Sequence, residues 1–318
     1  MNAIVYADTR KMSREKWLEA RRNGIGGSDA SAILGLNPYC SPLMVYTDKI
    51  GKAKDEEPNE AMRQGTDLEA YVAERFTEET GLKVKRCNKI LQNPAYPWMF
   101  ANVDRLIVGH DWGLECKTTS PYSKFKFDEG EINPHYYWQS MHYMAVTGAE
   151  KWYVAILVLG KAFHVFELNR DEKAIQTLID AEQDFWLNHV EQKNPPLPTG
   201  SESDGKAISA LYPIGKDGDD EDIMQMDDLD DALNLRAMKV QQRDALNAEI
   251  DEIDQSMKLA LGDRQRGASL NWRVNWTNTT SNRIDTKALK AKYPKIAEEM
   301  MKTTTSRRFS VTRIEGEE

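Results

Sequence analysis

The side chains with the most chemical content lie in two short stretches, Val103-Asp104 and, eleven residues beyond the aspartate, Glu115-Cys116-Lys117. Alternate residues of a β-strand share a face, so this spacing sets Glu115 and Lys117 side by side and turns Cys116 away. Leu106, Ile107, Val108 and Leu114 make both stretches read as core strands, and Gly109-His110-Asp111-Trp112-Gly113 reads as the turn of a hairpin joining them. Charges on core strands are costly unless they are paired or bound to a metal. Two carboxylates beside one amine suit a hard divalent cation next to a positive charge, and phosphodiester hydrolysis uses that combination. The competing reading is a charged pair on a surface hairpin, which the spacing alone does not exclude.

Three further positions could complete such a site. Glu69, in Gly65-Thr66-Asp67-Leu68-Glu69, offers a third carboxylate from a helix, although Asp67, Glu74 and Glu78 nearby also fit an ordinary solvated face. Gln139, one turn after Tyr136 and next to Trp138, could orient a water or a phosphate oxygen, or be satisfied within its own helix. Arg21 precedes Ser28 across Asn23-Gly24-Ile25-Gly26-Gly27. A guanidinium, a hydroxyl and backbone N–H groups at a helix start suit a terminal phosphate, and the glycines equally fit a tight turn. His110, His135, His142, His164 and His189 show no ligand spacing and read as structural.

These residues need a scaffold, and the pattern predicts an alternating α/β domain over residues 1–198. Helices are expected over 13–22 with Ser13 as N-cap, 28–34 capped at or near Ser28, 41–50, 60–80 stopped by Gly81, 134–147 and 170–191. Strands are expected over 83–92, 98–108 and 112–118, with a hairpin of 152–159 and 162–168. Residues 199–222, rich in Gly, Ser and Asp, read as an acidic linker. An accessory region over 223–318 would hold a long amphipathic helical segment at 223–261, open to a hairpin or a coiled coil, a strand at 270–276, a helix at 286–301 and a strand around Phe309 and Val311.

Composition narrows the class. The chain has 318 residues, 40% of them apolar, and no run approaches the roughly 18 apolar residues of a membrane span. The start, Met1-Asn2-Ala3-Ile4-Val5, does not read as a signal peptide. Cys40, Cys87 and Cys116 are widely spaced, which suits a reducing compartment, so a metal would be held by oxygen. The net charge of −9 argues against unspecific coating of nucleic acid. It is unevenly placed, with nine acidic and no basic residues from Asp217 to Asp231, and twelve Lys/Arg against Asp285, Glu298 and Glu299 from Arg264 to Arg313.

In order and combination, Trp17-x-x-x-Arg21, the Arg21-to-Ser28 loop, Gly65-x-x-x-Glu69, Val103-Asp104, Leu114-Glu115-Cys116-Lys117 and Tyr136-x-x-Gln139 resemble the YqaJ-like viral recombinase family of phage-type exonucleases and, more distantly, lambda exonuclease. Both lie in the PD-(D/E)xK nuclease superfamily; this chain has Val103 where the superfamily's name has proline. The resemblance, over roughly residues 13–190, implies a restriction-endonuclease-like mixed β-sheet core flanked by helices. It also implies a Mg²⁺-dependent 5′-to-3′ double-stranded DNA exonuclease, with Mn²⁺ as a substitute metal, that leaves 3′ single-stranded overhangs. Asp104, Glu115 and the Cys116 backbone carbonyl would hold Mg²⁺, with Glu69 for a second metal or its water. Lys117 would position or activate the attacking water beside Gln139, and Arg21, Ser28 and Tyr136 would take the DNA and its 5′-phosphate. A ring-shaped homo-oligomer on double-stranded DNA ends, a single-strand annealing protein as partner and a place in a bacterial host's cytosol, with phage or prophage origin, are implied as well. The alternatives are an endonuclease or RecB-type repair nuclease on the same fold, or a DNA- or protein-binding recombination accessory factor.

Overall fold

The computed structural model describes residues 2–53, 59–215 and 229–313. The chain divides into two units, Met1–Pro213 and Ile214–Glu318.

In the first unit the chain runs β1 (Ile4–Asp8), α1 (Arg14–Arg22), α2 (Gly27–Ile33), α3 (Pro42–Lys49), α4 (Glu60–Thr80), β2 (Val84–Arg86), β3 (Lys89–Gln92), β4 (Phe100–Asn102), β5 (Arg105–Ile107) and β6 (Gly113–Thr119). It continues through α5 (Pro134–Thr147), β7 (Lys151–Val158), β8 (Ala162–Asn169), α6 (Glu172–Asp184), a π-helical continuation Phe185–Glu191, and α7 (Glu202–Leu211). Local chemistry starts and stops these helices as the sequence predicts. The Ser13 hydroxyl accepts from the Lys16 N–H at the start of α1, Ser41 and Pro42 open α3, and Gly81 ends α4 in the left-handed region at φ 72°.

The main sheet is mixed, in the order β2-β5-β6-β7-β8. Only β6 and β7 pair in parallel, with α5 as the crossover between them, and the remaining pairs are antiparallel. A second sheet, β1-β3-β4, stands apart from it. Here the structure corrects the expected strands: 83–92 and 98–108 are each two short strands that change sheets. The first breaks between Arg86 and Lys89, the second between Asn102 and Arg105. Val103-Asp104 is therefore the point where the chain leaves one sheet for the other. The β5–β6 ladder stops at Arg105↔Leu114, so Asp104 lies just beyond its last pair.

Helices cover both faces of the main sheet. Val72 and Phe76 of α4 pack on Ile107, Leu114 and Ala155, while Met141 and Met144 of α5 form a second cluster with Trp152, Ile175 and Leu178. Burying side chains of this size contributes about 1.5–3 kcal/mol each, and that layer is what fixes the strand ends. Gly113 is required by this packing, since a Cβ there would lie 2.2 Å from the Trp152 ring.

The first unit also extends past the expected end at residue 198. Part of the 199–222 segment is α7, opened by Ser201, whose hydroxyl accepts from the Asp204 N–H. The Ser41 N–H donates to Ser203 Oγ at 3.0 Å, and fully buried Ala207 joins the cluster of Ile25, Leu43, Val45 and Phe185. The Ser, Gly and Asp content that read as a linker is in part a helix cap. Most of the acidic block from Asp217 lies outside the described residues.

In the second unit, α8 (Leu229–Leu261) is a single 33-residue helix with no buried residue. It is followed by the hairpin β9 (Arg266–Ala268) and β10 (Arg273–Asn275), then α9 (Thr286–Lys292) and α10 (Pro294–Glu299). Pro294 divides the helix expected over 286–301, and no strand forms at Phe309 and Val311. Among the described residues no helix is long and apolar enough to cross a membrane.

Candidate functional site

At the end of the main sheet Arg21, Glu69, Asp104, Glu115, Cys116 and Lys117 line one cleft of about 560 Å³. Three elements build its walls. Arg14, Trp17, Leu18 and Arg21 come from one face of α1, and Met62, Gly65, Thr66 and Glu69 from one face of α4. The end of β6, where β5 has already turned away, and Asp104, just before β5, supply the rest. Gly65 does not owe its place to a close approach, because a Cβ there would meet Thr118 Oγ1 at an ordinary 3.6 Å.

Glu115 is buried and takes two donors on Oε1, Lys117 Nζ at 2.7 Å and Gln139 Nε2 at 2.8 Å. Its second oxygen, Oε2, is buried without a hydrogen-bond partner. Asp104 Oδ2 accepts the Cys116 N–H at 2.9 Å. Burial, and then the charge of Glu115, push the Asp104 carboxyl well above its ordinary range, and Lys117 only partly offsets this. Burial alone would lower Lys117, but Glu115 and Asp104 outweigh it and hold its pKa above the ordinary value. The site thus carries more carboxylate than its one ammonium neutralises. An orphaned buried oxygen beside a carboxyl driven toward protonation suits a divalent cation, and the oxygen donors fit one. A strand residue's N–H and C=O project to the same side, so the Cys116 carbonyl points with its N–H toward Asp104, past the end of the β5 ladder.

Glu69 is in the cleft but is not joined to the other carboxylates. Arg105 and Ile107 face α4, and the Arg105 guanidinium there binds Glu69 Oε1 and, at 2.8 Å, the Asp104 carbonyl oxygen. Among the described residues no group of three or more His, Cys, Asp or Glu gathers as a metal cage. Gln139 does not line the cleft either. Its amide is buried behind Glu115 and also donates to Tyr143 Oη at 2.9 Å, so it holds the carboxylate in place. Tyr136 lies under Lys117, Nζ being 5.3 Å from its ring centroid.

Arg21 and Ser28 do meet, Nη2 donating to Oγ at 3.1 Å, with the guanidinium also 4.7 Å from the Trp17 ring centroid. The helix cap is not Ser28 but Gly26, whose N–H donates to Asp29 Oδ2 at 2.9 Å, which leaves the serine hydroxyl for Arg21. Gly27 is demanded by proximity, since a Cβ would fall 2.6 Å from the Tyr143 ring. The sequence reading missed the brace beneath this loop. Buried Lys49 pairs with Asp29 at 2.7 Å and reaches the Arg21 carbonyl at 3.4 Å, and these charges hold Asp29 below its ordinary range despite burial. It missed Arg105 too, hidden by its place in an apolar strand. Two of the histidines have interior partners: His142 bridges Glu182 and the Phe100 carbonyl, and His135, bonded to Ser31, is lowered to about 4, chiefly by burial.

A mixed sheet with helices on both faces, ending in a cleft that pairs buried carboxylates with a lysine, defines the class of protein. The chain belongs to the YqaJ-like viral recombinase family. Its residues 16–150 match the YqaJ-like viral recombinase domain, and it is 36% identical over 315 residues to protein YqaJ of Bacillus subtilis (strain 168), covering 98% of each chain. Two solved structures are similar at lower identity. The alkaline exonuclease LHK-Exo of Laribacter hongkongensis is 20% identical with a TM-score of 0.47, over 57% of this chain and 94% of that one. A phage-related exonuclease from Haemophilus somnus 129PT is 12% identical with a TM-score of 0.43, over 54% and 96%.

Proposed function

We propose that this protein is a Mg²⁺-dependent 5′-to-3′ exonuclease that resects double-stranded DNA ends to 3′ overhangs in phage-type recombination. The observation that carries the reading is the shared cleft: Arg21, Glu69, Asp104, Glu115 and Lys117 come from α1, α4 and the strand ends around β5 and β6, yet line one cavity. Asp104, Glu115 and the Cys116 carbonyl would hold Mg²⁺, or Mn²⁺ in its place, and Glu69 would serve a second cation in exchange for Arg105. The metal would supply Lewis-acid polarisation of the scissile phosphate and a lowered pKa for the attacking water. The chain's own groups do the rest. Gln139 fixes the Glu115 carboxylate, Lys117 holds positive charge against the phosphate and orients the water, and Tyr136 supports Lys117. Arg21, with Ser28, binds the 5′-phosphate. Family membership supports extending the proposal to a ring-shaped homo-oligomer, a single-strand annealing partner and action in a bacterial host's cytosol.

End-labelled linear duplex with and without Mg²⁺, beside a covalently closed circle, tests the reading. Metal-dependent shortening from the 5′ end with the circle intact is expected; cutting of the circle would make the enzyme an endonuclease instead. A second outcome follows from the Arg21–Ser28 contact. The protein should digest 5′-phosphorylated duplex roughly tenfold or more faster than 5′-hydroxyl duplex, since a charge-assisted contact contributes about 1.5–3 kcal/mol. Arg21→Ala should erase that preference. Equal wild-type rates on the two substrates would remove Arg21 and Ser28 from the end-binding role.

A further inference from the structure

The second unit carries a feature that the cleft does not explain. From Arg264 to Arg313 twelve Lys/Arg stand against three acidic residues, in a chain whose net charge is −9. All twelve are exposed, and among the described residues none forms an ion pair. The β9–β10 register sets Arg273 opposite Ala268 and Asn275 opposite Arg266, so Arg266 and Arg273 project from one face of the hairpin. The opposite face meets α8, since Trp276 shares a hollow with Gln255, Lys258 and Leu259. At the tip, Trp272 is 77% exposed and Leu270 97%. The turn holds the tip in place: the Ser269 N–H donates to the Trp272 carbonyl at 2.8 Å, and the Trp272 N–H to Ser269 Oγ at 3.2 Å.

Strand alternation sets Trp272 with Trp276, on the face opposite Arg266 and Arg273, so a ligand that meets both must cross the hairpin tip. An indole left in water costs solvation, and unneutralised cations on the same short hairpin strengthen no fold contact. Together they match one ligand chemistry. Guanidiniums bind backbone phosphates with release of counterions, and an exposed aromatic ring stacks on a base that is free to leave its own stack. Bases in duplex are already stacked, so the indole selects single strand.

We infer that the hairpin around residues 264–276 is a second nucleic-acid site that binds single-stranded DNA, Trp272 stacking on a base while Arg266 and Arg273 take phosphates. The site does not depend on the nuclease reading, and its test uses no catalysis. Full-length protein in EDTA is titrated against fluorescent oligo(dT) and against a duplex of equal length, with anisotropy read at several salt concentrations. Wild type should prefer the single strand. Trp272→Ala should weaken single-strand binding roughly tenfold with little effect on duplex, and Trp272→Phe should restore most of it. Arg266→Glu with Arg273→Glu should weaken binding and lower the slope of log K against log salt by about one or more. Circular dichroism of each variant checks that the fold persists. Equal loss on single strand and duplex for Trp272→Ala would overturn the stacking assignment. Wild-type binding by both variants would overturn the site, whether or not the protein degrades DNA.

Discussion

Asp104→Asn should abolish metal-dependent DNA degradation, yet in metal-free buffer at pH 8 it should unfold at a higher temperature than the wild type. Both outcomes come from one carboxyl. Burial and the neighbouring Glu115 charge raise its pKa in the fold. For such a group the folded state is favoured below the unfolded pKa, and that advantage is lost as pH rises through the folded one. Metal-free wild type therefore loses stability as pH rises from the ordinary aspartate value of about 3.9 through the raised folded one. The amide of the Asp104→Asn variant carries no charge and can still accept the Cys116 N–H through its carbonyl oxygen, so the variant's profile should be flatter across this window. Mg²⁺ should then separate the two proteins. Binding at about a hundred times Kd adds about 2.7 kcal/mol, which raises the wild-type Tm by roughly 5–10 °C. Asp104→Asn should scarcely respond. Loss of several kcal/mol of Lewis-acid stabilisation corresponds to at least about a 10³-fold drop in rate. The assignment sinks if Asp104→Asn degrades duplex at near wild-type rates, or if the two proteins show parallel melting profiles with pH and Mg²⁺.

That site was legible in the sequence to the extent that it obeys local periodicity. Glu115 and Lys117 share a face because strand alternation is a property of the backbone, and Arg21 reaches Ser28 because helix α1 and the loop after it form locally. What stayed hidden depends on tertiary choice. No pattern in Lys83 to Gln92 or Phe100 to Val108 announces that the chain changes sheets midway, yet that change is what frees Asp104 from a ladder. Arg105 looked like an interruption in an apolar run, and its role appeared only when α4 brought Glu69 over it. The sequence placed Gln139 on its helix but did not show its hydrogen-bond partner, Glu115. Helical spacing says which residues share a face, not how deep that face lies, and Gln139 is buried behind Glu115. Ser201 and Asp204 likewise gave the composition of a linker, although their hydrogen bonds cap a helix.

Lys117→Met tests the other half of the charge balance and should behave differently from Asp104→Asn. Nζ lies 2.7 Å from Glu115 Oε1, and the two carboxylates hold its pKa above the ordinary lysine value. It is therefore an ammonium at neutral pH and acts through charge, not as a base. The stability a raised lysine pKa provides is present below the unfolded value and lost only as pH rises through the folded one, so Lys117 contributes no slope between about pH 6 and pH 9. Methionine keeps much of the apolar stem but leaves Glu115 and Asp104 uncompensated. Breaking a buried pair from one side costs about 3–5 kcal/mol, so Lys117→Met should melt well below the wild type at pH 8. It should recover as pH falls and the raised Asp104 carboxyl takes a proton, and partly recover in Mg²⁺, where the cation replaces the lost positive charge. Turnover should nonetheless stay down by roughly 10²–10⁴-fold at saturating Mg²⁺, because the metal restores the charge but not the group that orients the water. Melting curves and single-turnover digestion on the same preparations separate the two effects. If Mg²⁺ restored activity together with stability, Lys117 would be a structural counter-ion to Glu115 and its catalytic assignment would fall.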